Sequence, residues 1–187
     1  MKDNCKILLA CAVILLVGFT AYAQVIPDGL YYIFSEVNGH YVIDDNGSNI
    51  YNGNNIHIWK LNKTKAQQWK VENRNGGIVI RSAINNNYVI DDNGSNVYNG
   101  NNIHLWEYNG TNAQLWYPQR VSSNRELFVL RSALNRNFVI DLNNSNASDG
   151  NNIHLWEYNG TKAQQWVFLR VGEVEVNDII FETLFGL

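Results

Sequence analysis

Past residue 23 this chain contains no cysteine; its only two, Cys5 and Cys11, lie in the first short stretch. A disulfide framework for the folded part is therefore excluded, and its stability must come from a packed core. Residues 24–187 suffice for one domain with such a core. A surplus of basic charge is also missing. Lys and Arg number 14 against 17 Asp and Glu, for a net charge of −3. Nothing here suits the phosphates of nucleic acid or an anionic membrane surface. A membrane-spanning run is missing as well. The apolar stretch Ile7–Phe19 is shorter than the roughly 18 residues of a spanning helix.

That stretch instead reads as part of a secretory signal peptide covering residues 1–23. Lys2 and Lys6 precede it, and Ala21-Tyr22-Ala23 offers small residues for cleavage before Gln24. The expected location is extracellular. Leu8-Leu9-Ala10-Cys11 has the form of a bacterial lipobox, but the apolar run continues beyond the cysteine, which argues against lipidation. Catalytic constellations are absent too: no Ser-His-Asp or Cys-His set stands out, and no repeated pair of acids suits glycoside cleavage. Asp44-Asp45 and Asp91-Asp92 are adjacent, so on an extended strand they point to opposite sides. The chain is not expected to be an enzyme or to need a cofactor.

What is abundant is one phrase, written three times. It runs Tyr-Val-Ile-Asp, a polar loop, Gly-Asn-Asn-Ile-His-Ile-Trp, a short bridge and Ala-Gln-Gln-Trp, with small variations. Copies start at Tyr41, Tyr88 and Phe138 and end at Trp69, Trp116 and Trp166. Asp44, His57, Trp59, Gln67 and Trp69 recur as Asp91, His104, Trp106, Gln114 and Trp116, then as Asp141, His154, Trp156, Gln164 and Trp166. Asp44 to Asp91 is 47 residues and Asp91 to Asp141 is 50. The three extra residues fall around Ser122–Arg125, between copies. A period of this size marks units that cannot bury their apolar faces alone.

Within a unit the apolar residues alternate. Ile56 and Ile58 alternate with Asn55, His57 and Trp59, which sets His57 and Trp59 on one face of a strand and the isoleucines on the other. Asn-Gly or Asp-Gly pairs begin at Asn38, Asn46, Asn52, Asn75, Asn93, Asn99, Asn109, Asp149 and Asn159 and signal turns. The first unit is expected to hold strands near 30–35, 40–45, 55–60 and 68–73. Three such units give twelve short strands, with no helical stretch before residue 172.

Gln67-Gln68-Trp69, Gln114-Leu115-Trp116 and Gln164-Gln165-Trp166 resemble the Gln-x-Trp signature of the ricin B-type lectins. The preceding Asp and Gly-Asn-x-Ile-x-x-Trp segment match that family's order, and the likeness covers roughly residues 28–171. It implies an all-β fold, a β-trefoil of three pseudo-symmetric four-stranded units at 28–74, 75–121 and 122–171. Together they form a lectin domain over residues 24–171 with a sugar pocket in each unit. Where the family often carries cysteine pairs, this chain places Val42 with Leu61, Val89 with Tyr108 and Val139 with Tyr158, expected as apolar contacts. Crosslinks of that kind contribute about 2–4 kcal/mol each.

Two readings of Asp44, Asp91 and Asp141 stand on the residues alone: acceptors for sugar hydroxyls, or caps of their own loops. The family pattern implies the first. Trp59, Trp106 and Trp156 read as platforms for a pyranose face or as core. Trp69, Trp116 and Trp166 read as core, with Gln67, Gln114 and Gln164 anchoring the Asp-bearing loop at the pocket. His57, His104 and His154 stand where the family has a polar contact; no second histidine at ligand spacing supports a metal. Ala66, Ala113 and Ala163 replace a common family Asn, so Asn62, Asn109 and Asn159 are expected to supply the amide from the side.

The third unit differs: Asp45 and Asp92 become Leu142, and Tyr51 and Tyr98 become Ser148. Sites one and two are expected to be alike, and site three, without the extra acid and the aromatic wall, to be weaker. Seven sequons, at Asn46, Asn62, Asn93, Asn109, Asn143, Asn146 and Asn159, fall on the candidate binding loops. The tail, residues 172–187, sets Val176, Ile180 and Leu184 at helical spacing. It suits either packing on the trefoil or docking to a protein partner or second subunit.

The reading is a secreted lectin binding neutral glycans or polysaccharides, galactose-type or xylose/glucose-type, through up to three metal-independent pockets. The alternative is a trefoil interaction module, such as a protease inhibitor or receptor ligand. That function would not need the same Asp, His and Trp three times over.

Overall fold

The computed structural model describes residues 26–176. The signal peptide expected over residues 1–23 and the tail beyond Val176 lie outside the described residues. Twelve strands run along the chain: β1 Gly29–Ser35, β2 Tyr41–Asp45, β3 Asn54–Lys60, β4 Trp69–Arg74, β5 Gly77–Ser82, β6 Tyr88–Asp92, β7 Asn101–Glu107, β8 Trp116–Arg120, β9 Leu127–Ser132, β10 Phe138–Leu142, β11 Ile153–Glu157 and β12 Trp166–Arg170. The strand positions match those expected from alternation to within a residue or so. Six short 3-10 turns and a terminal helix α1, Val171–Val176, complete the described chain.

The pairings close on themselves. β1 pairs with β12 and β4, β5 with β4 and β8, and β9 with β8 and β12, all antiparallel. This six-stranded ring has no open edge, which removes the template for edge-to-edge association. The hairpins β2–β3, β6–β7 and β10–β11 lie across one end. They join through β3–β7, β7–β11 and a single bridge from His57 to Asn152. A barrel capped by three hairpins is the β-trefoil.

Alternation decides what fills it. Ile43, Ile56, Ile58 and Trp69 of the first unit meet Ile90, Ile103, Leu105 and Trp116 of the second and Ile140, Ile153, Leu155 and Trp166 of the third in one buried cluster. No unit could bury this face alone. At the junction of the hairpins three asparagines form a ring. Asn55 donates to Asn152 at 2.9 Å, Asn152 to Asn102 at 2.8 Å, and Asn102 to Asn55 at 2.9 Å. Each amide gives one hydrogen bond and receives one, so the three close a ring at the threefold axis.

The positions that stand for cysteine pairs are filled as expected in two units. Val42 and Leu61 share one apolar cluster, and Val89 and Tyr108 another. In the third unit Val139 is buried but Tyr158 is exposed, its ring facing Arg131 at 4.4 Å. α1 packs Val174 against the barrel beside Tyr32, Phe34 and Leu169. The start of the tail thus covers the trefoil, and the docking role expected of its remainder falls outside the described residues.

Candidate functional site

Each cap hairpin carries the same cleft on its outer face. The register sets Asp44 opposite His57, Asp91 opposite His104 and Asp141 opposite His154. Nε2 of the histidine meets Oδ1 of the aspartate at 3.3, 3.0 and 3.1 Å in the three units. The tryptophan two residues on lies over the imidazole, with ring centroids 5.6, 5.1 and 5.2 Å apart. Asp and His are buried, whereas Trp59, Trp106 and Trp156 remain 39, 36 and 37% exposed. Aspartate therefore orients histidine, and histidine supports an indole that is half open to solvent. The histidines are a buried link between the other two groups, and His57 and His154 also line their clefts.

The first cleft is lined by Asp44, Asn46, Gly47, Ser48, His57, Trp59, Asn62, Thr64 and Ala66. The third has Asp141, Asn143, Asn144, Ser145, His154, Trp156, Asn159, Thr161 and Ala163. They hold about 340 and 190 Å³. One wall differs: Asn144 of the third unit (φ 53°) stands where Gly47 (φ 66°) and Gly94 (φ 63°) stand in the others. Asparagine tolerates the left-handed backbone, whereas a Cβ at Gly47 or Gly94 would meet the side-chain amide of Asn49 or Asn96 at 2.6 Å.

Both remaining members of the repeat are supports. Gln67 is fully buried. Its Oε1 accepts from the backbone of Asn62 at 2.7 Å and Lys63 at 3.1 Å, and its Nε2 donates to the Lys60 carbonyl at 2.9 Å. Gln114 and Gln164 repeat this. These glutamines thus hold the bridge that carries Asn62, not the Asp-bearing loop, and they do so from beneath the cleft. Trp69 holds the Asp side: its indole N–H donates to the Ile43 carbonyl, next to Asp44, at 3.0 Å, and Trp116 and Trp166 do the same. Asn62 caps its own turn through Oδ1, accepting from the Thr64 N–H at 3.0 Å and hydroxyl at 2.7 Å. Its NH2 end has no hydrogen-bond partner among the described residues. Asn109 and Asn159 cap in the same way.

Two residues expected as extra site features are not in the first cleft. Asp45, like Asp92, is fully buried, because it follows Asp44 on an extended strand and so turns inward. Its carboxyl accepts from Asn54, and burial pushes its pKa up to about 7, as it does for Asp92. Leu142 therefore replaces a buried acid, not a ligand contact. Tyr51 belongs to a loop that leans on the next unit. Conversely, Asn54, Asn101 and Asn151 matter more than their place in the repeat suggested. Asn54 donates to the carbonyls of Asn46 and Asn49 at 3.0 and 2.9 Å and so staples the cleft loop. Asn101 and Asn151 do the same. The signal was present, in the second residue of each Gly-Asn-Asn.

The family model described as "Ricin-type beta-trefoil lectin domain-like" matches residues 19–106 and, overlapping them, 65–156. The chain belongs to this family. No curated protein sequence matches it, but solved structures share its architecture. The designed threefold-symmetric protein ThreeFoil is 21% identical with a TM-score of 0.71, over 76% of this chain and 99% of that one. The Macrolepiota procera ricin B-like lectin, solved with lactose, is 21% identical with a TM-score of 0.66, over 78 and 98%. The C-half of the earthworm R-type lectin, solved with GalNAc, is 25% identical with a TM-score of 0.58, over 76 and 98%. In this trefoil lectin, as the symmetry requires, the three clefts lie apart. Among the described residues no group of three His, Cys, Asp or Glu could hold a metal ion, and no helix is long and apolar enough to cross a membrane.

Proposed function

We propose that the mature protein is a secreted, non-catalytic lectin for neutral, galactose-type saccharides, binding without a metal. The observation that carries this reading is the Asp–His–Trp arrangement repeated in all three clefts. Oδ1 of Asp44 is tied to His57, so Oδ2 is the end that accepts from sugar hydroxyls. Such charge-assisted bonds are about twice as strong as neutral ones. Trp59 offers an apolar face to ring C–H groups, and Asn62 donates from the opposite rim. The lactose and GalNAc bound to two related lectins favour galactose-type ligands over xylose or glucose types. Hydrolysis is not part of the proposal, since the second acid of each Asp-Asp pair faces the interior.

One shallow cleft binds weakly; three around an axis raise avidity on a dense glycan by about 10²-fold or more where the geometry permits. A glycan array probed with residues 24–187, with and without EDTA, tests the proposal. Galactose-terminated glycans should be retained in both conditions, and the triple variant Asp44→Asn, Asp91→Asn, Asp141→Asn should lose them while keeping its thermal melt. An array that stays blank at high protein concentration would refute it. So would binding that calcium restores after EDTA.

A further inference from the structure

The loop between Asn49 and Gly53 sits in the first unit's sequence, but its contacts are with the second unit's tryptophan strand. Asn52 Oδ1 accepts from the backbone N–H of Glu107 at 2.7 Å, and the N–H of Gly53 donates to the Leu105 carbonyl at 2.8 Å. These two bonds fall on either side of Trp106. The second unit repeats them on the third: Asn99 accepts from Glu157 at 2.7 Å and Gly100 donates to Leu155 at 2.8 Å, flanking Trp156. The third unit returns to the first, with Asp149 accepting from Lys60 at 2.8 Å and Gly150 donating to Ile58 at 2.9 Å, flanking Trp59. At the first cleft the third unit's loop comes up to the ring, where a Cβ on Gly150 would lie 3.7 Å from Cζ3 of Trp59; a Cβ on Gly53 or Gly100 would meet nothing within 4 Å.

The residue before each capping Asn or Asp is Tyr51, Tyr98 or Ser148. At 54 and 55% exposed, Tyr51 and Tyr98 are the most exposed aromatics among the described residues. Neither hydroxyl has a hydrogen-bond partner there. A tyrosine combines a flat apolar face with a polar tip, which suits a sugar ring. The bonds of Asn52 and Gly53 hold Tyr51 on a loop against the strand of Trp106, and those of Asn99 and Gly100 hold Tyr98 against the strand of Trp156.

We infer that each cleft is completed by the preceding unit's loop. Tyr51 then belongs to the second site and Tyr98 to the third, and these two sites recognise an oligosaccharide through its penultimate residue. The first site, flanked by Ser148, recognises the terminal sugar alone. This inference rests on the carbohydrate-binding reading above. It moves the missing aromatic from the third site to the first.

Proteins with one working site test it. Trp→Ala changes at the other two clefts leave site one, two or three, and each is titrated by calorimetry with methyl β-galactoside and with lactose. In the site-two protein, Tyr51→Ala should lower the ratio of lactose to monosaccharide affinity about fivefold. The same change should leave that ratio at site one untouched, although Tyr51 lies in the first unit's sequence. In the site-one protein, Ser148→Tyr should raise the ratio by a similar factor. A Tyr51→Ala effect at site one, or an unchanged ratio at site two while both sugars still bind, overturns the inference alone. No binding of either sugar by any of the three proteins overturns it together with the lectin reading.

Discussion

The side-chain amide of Asn54 donates to Oδ1 of Asp45 beneath the first cleft loop, while Oδ2 of Asp45 has no partner among the described residues. Asn101 and Asp92 repeat the arrangement, again with Oδ2 unpaired. A carboxylate half satisfied in the interior costs more ionised than protonated. Burial accordingly raises both pKa values from 3.8 to about 7, against the lowering effect of the asparagine bond. Leu142 fills the third copy of the position with no charge at all.

The sign of the resulting pH dependence follows. A group whose folded pKa is raised contributes stability that is fully present below its unfolded pKa and lost as pH rises through the folded value. Asp45 and Asp92 should therefore destabilise the protein progressively from about pH 4 to pH 7. Replacing both with asparagine should leave the melting temperature near that of the wild type only below about pH 4. At pH 8 and above it should lie several degrees higher. A difference in melting temperature that is flat from pH 5 to 9 would mean that the acids do not titrate in this range.

The supports of the cleft are expected to act on binding through stability. Trp69→Phe keeps an aromatic ring but leaves a void and the Ile43 carbonyl without its indole donor, and Gln67→Leu strands two backbone N–H groups and one carbonyl. An unsatisfied buried group costs about 1–3 kcal/mol. Chemical denaturation should show a loss of about 2 kcal/mol for the first and more for the second. Asn62→Ala, by contrast, should weaken sugar binding at site one with less than about 1 kcal/mol lost.

Lys63 holds a left-handed backbone at φ 62°, where the other units have Gly110 at 75° and Gly160 at 76°. That conformation costs a residue with a Cβ roughly 1–2 kcal/mol, partly offset by glycine's greater freedom when unfolded. Lys63→Gly should stabilise the protein by about 0.5–1 kcal/mol, read as a higher denaturation midpoint with an unchanged slope. A loss of stability would show that the lysine side chain contributes more than its backbone strain costs.

The ring of Asn55, Asn102 and Asn152 should behave as one unit. Asn102→Ala leaves a donor and an acceptor unpaired on its two neighbours, so the first removal should cost about 1–3 kcal/mol. Removing the second and third should cost markedly less than the first. A thermodynamic cycle on Asn55→Ala and Asn102→Ala is expected to give a coupling above about 0.5 kcal/mol. Strict additivity would mean that solvent already satisfies these amides.

Much of this protein is legible in its residues because symmetry repeats every signal three times. Alternation in Ile56–Trp59 places the strands and sends His57 and Trp59 to one face. The Gln-x-Trp repeats, read with the Asp and Gly-Asn-Asn segments, point to the family that the match over residues 19–156 establishes. The inward turn of Asp45 also follows from period-two geometry, once Asp44 faces the cleft. What a linear reading could not decide is which side chains meet across units. Gln67 reads as an anchor of the Asp-bearing loop and proves to be a buried staple of the bridge that carries Asn62. His57 shows in the sequence only as a polar residue on the face of Trp59, and the fold makes it the link between Asp44 and that ring. Tyr51 lies near Asp44 in sequence but leans on the strand of Trp106. Local periodicity fixes the face on which a side chain stands, because it depends only on the pleat. The partner on that face depends on how three hairpins close around an axis, and only the assembled trefoil brings residues about 50 positions apart within a hydrogen bond of each other.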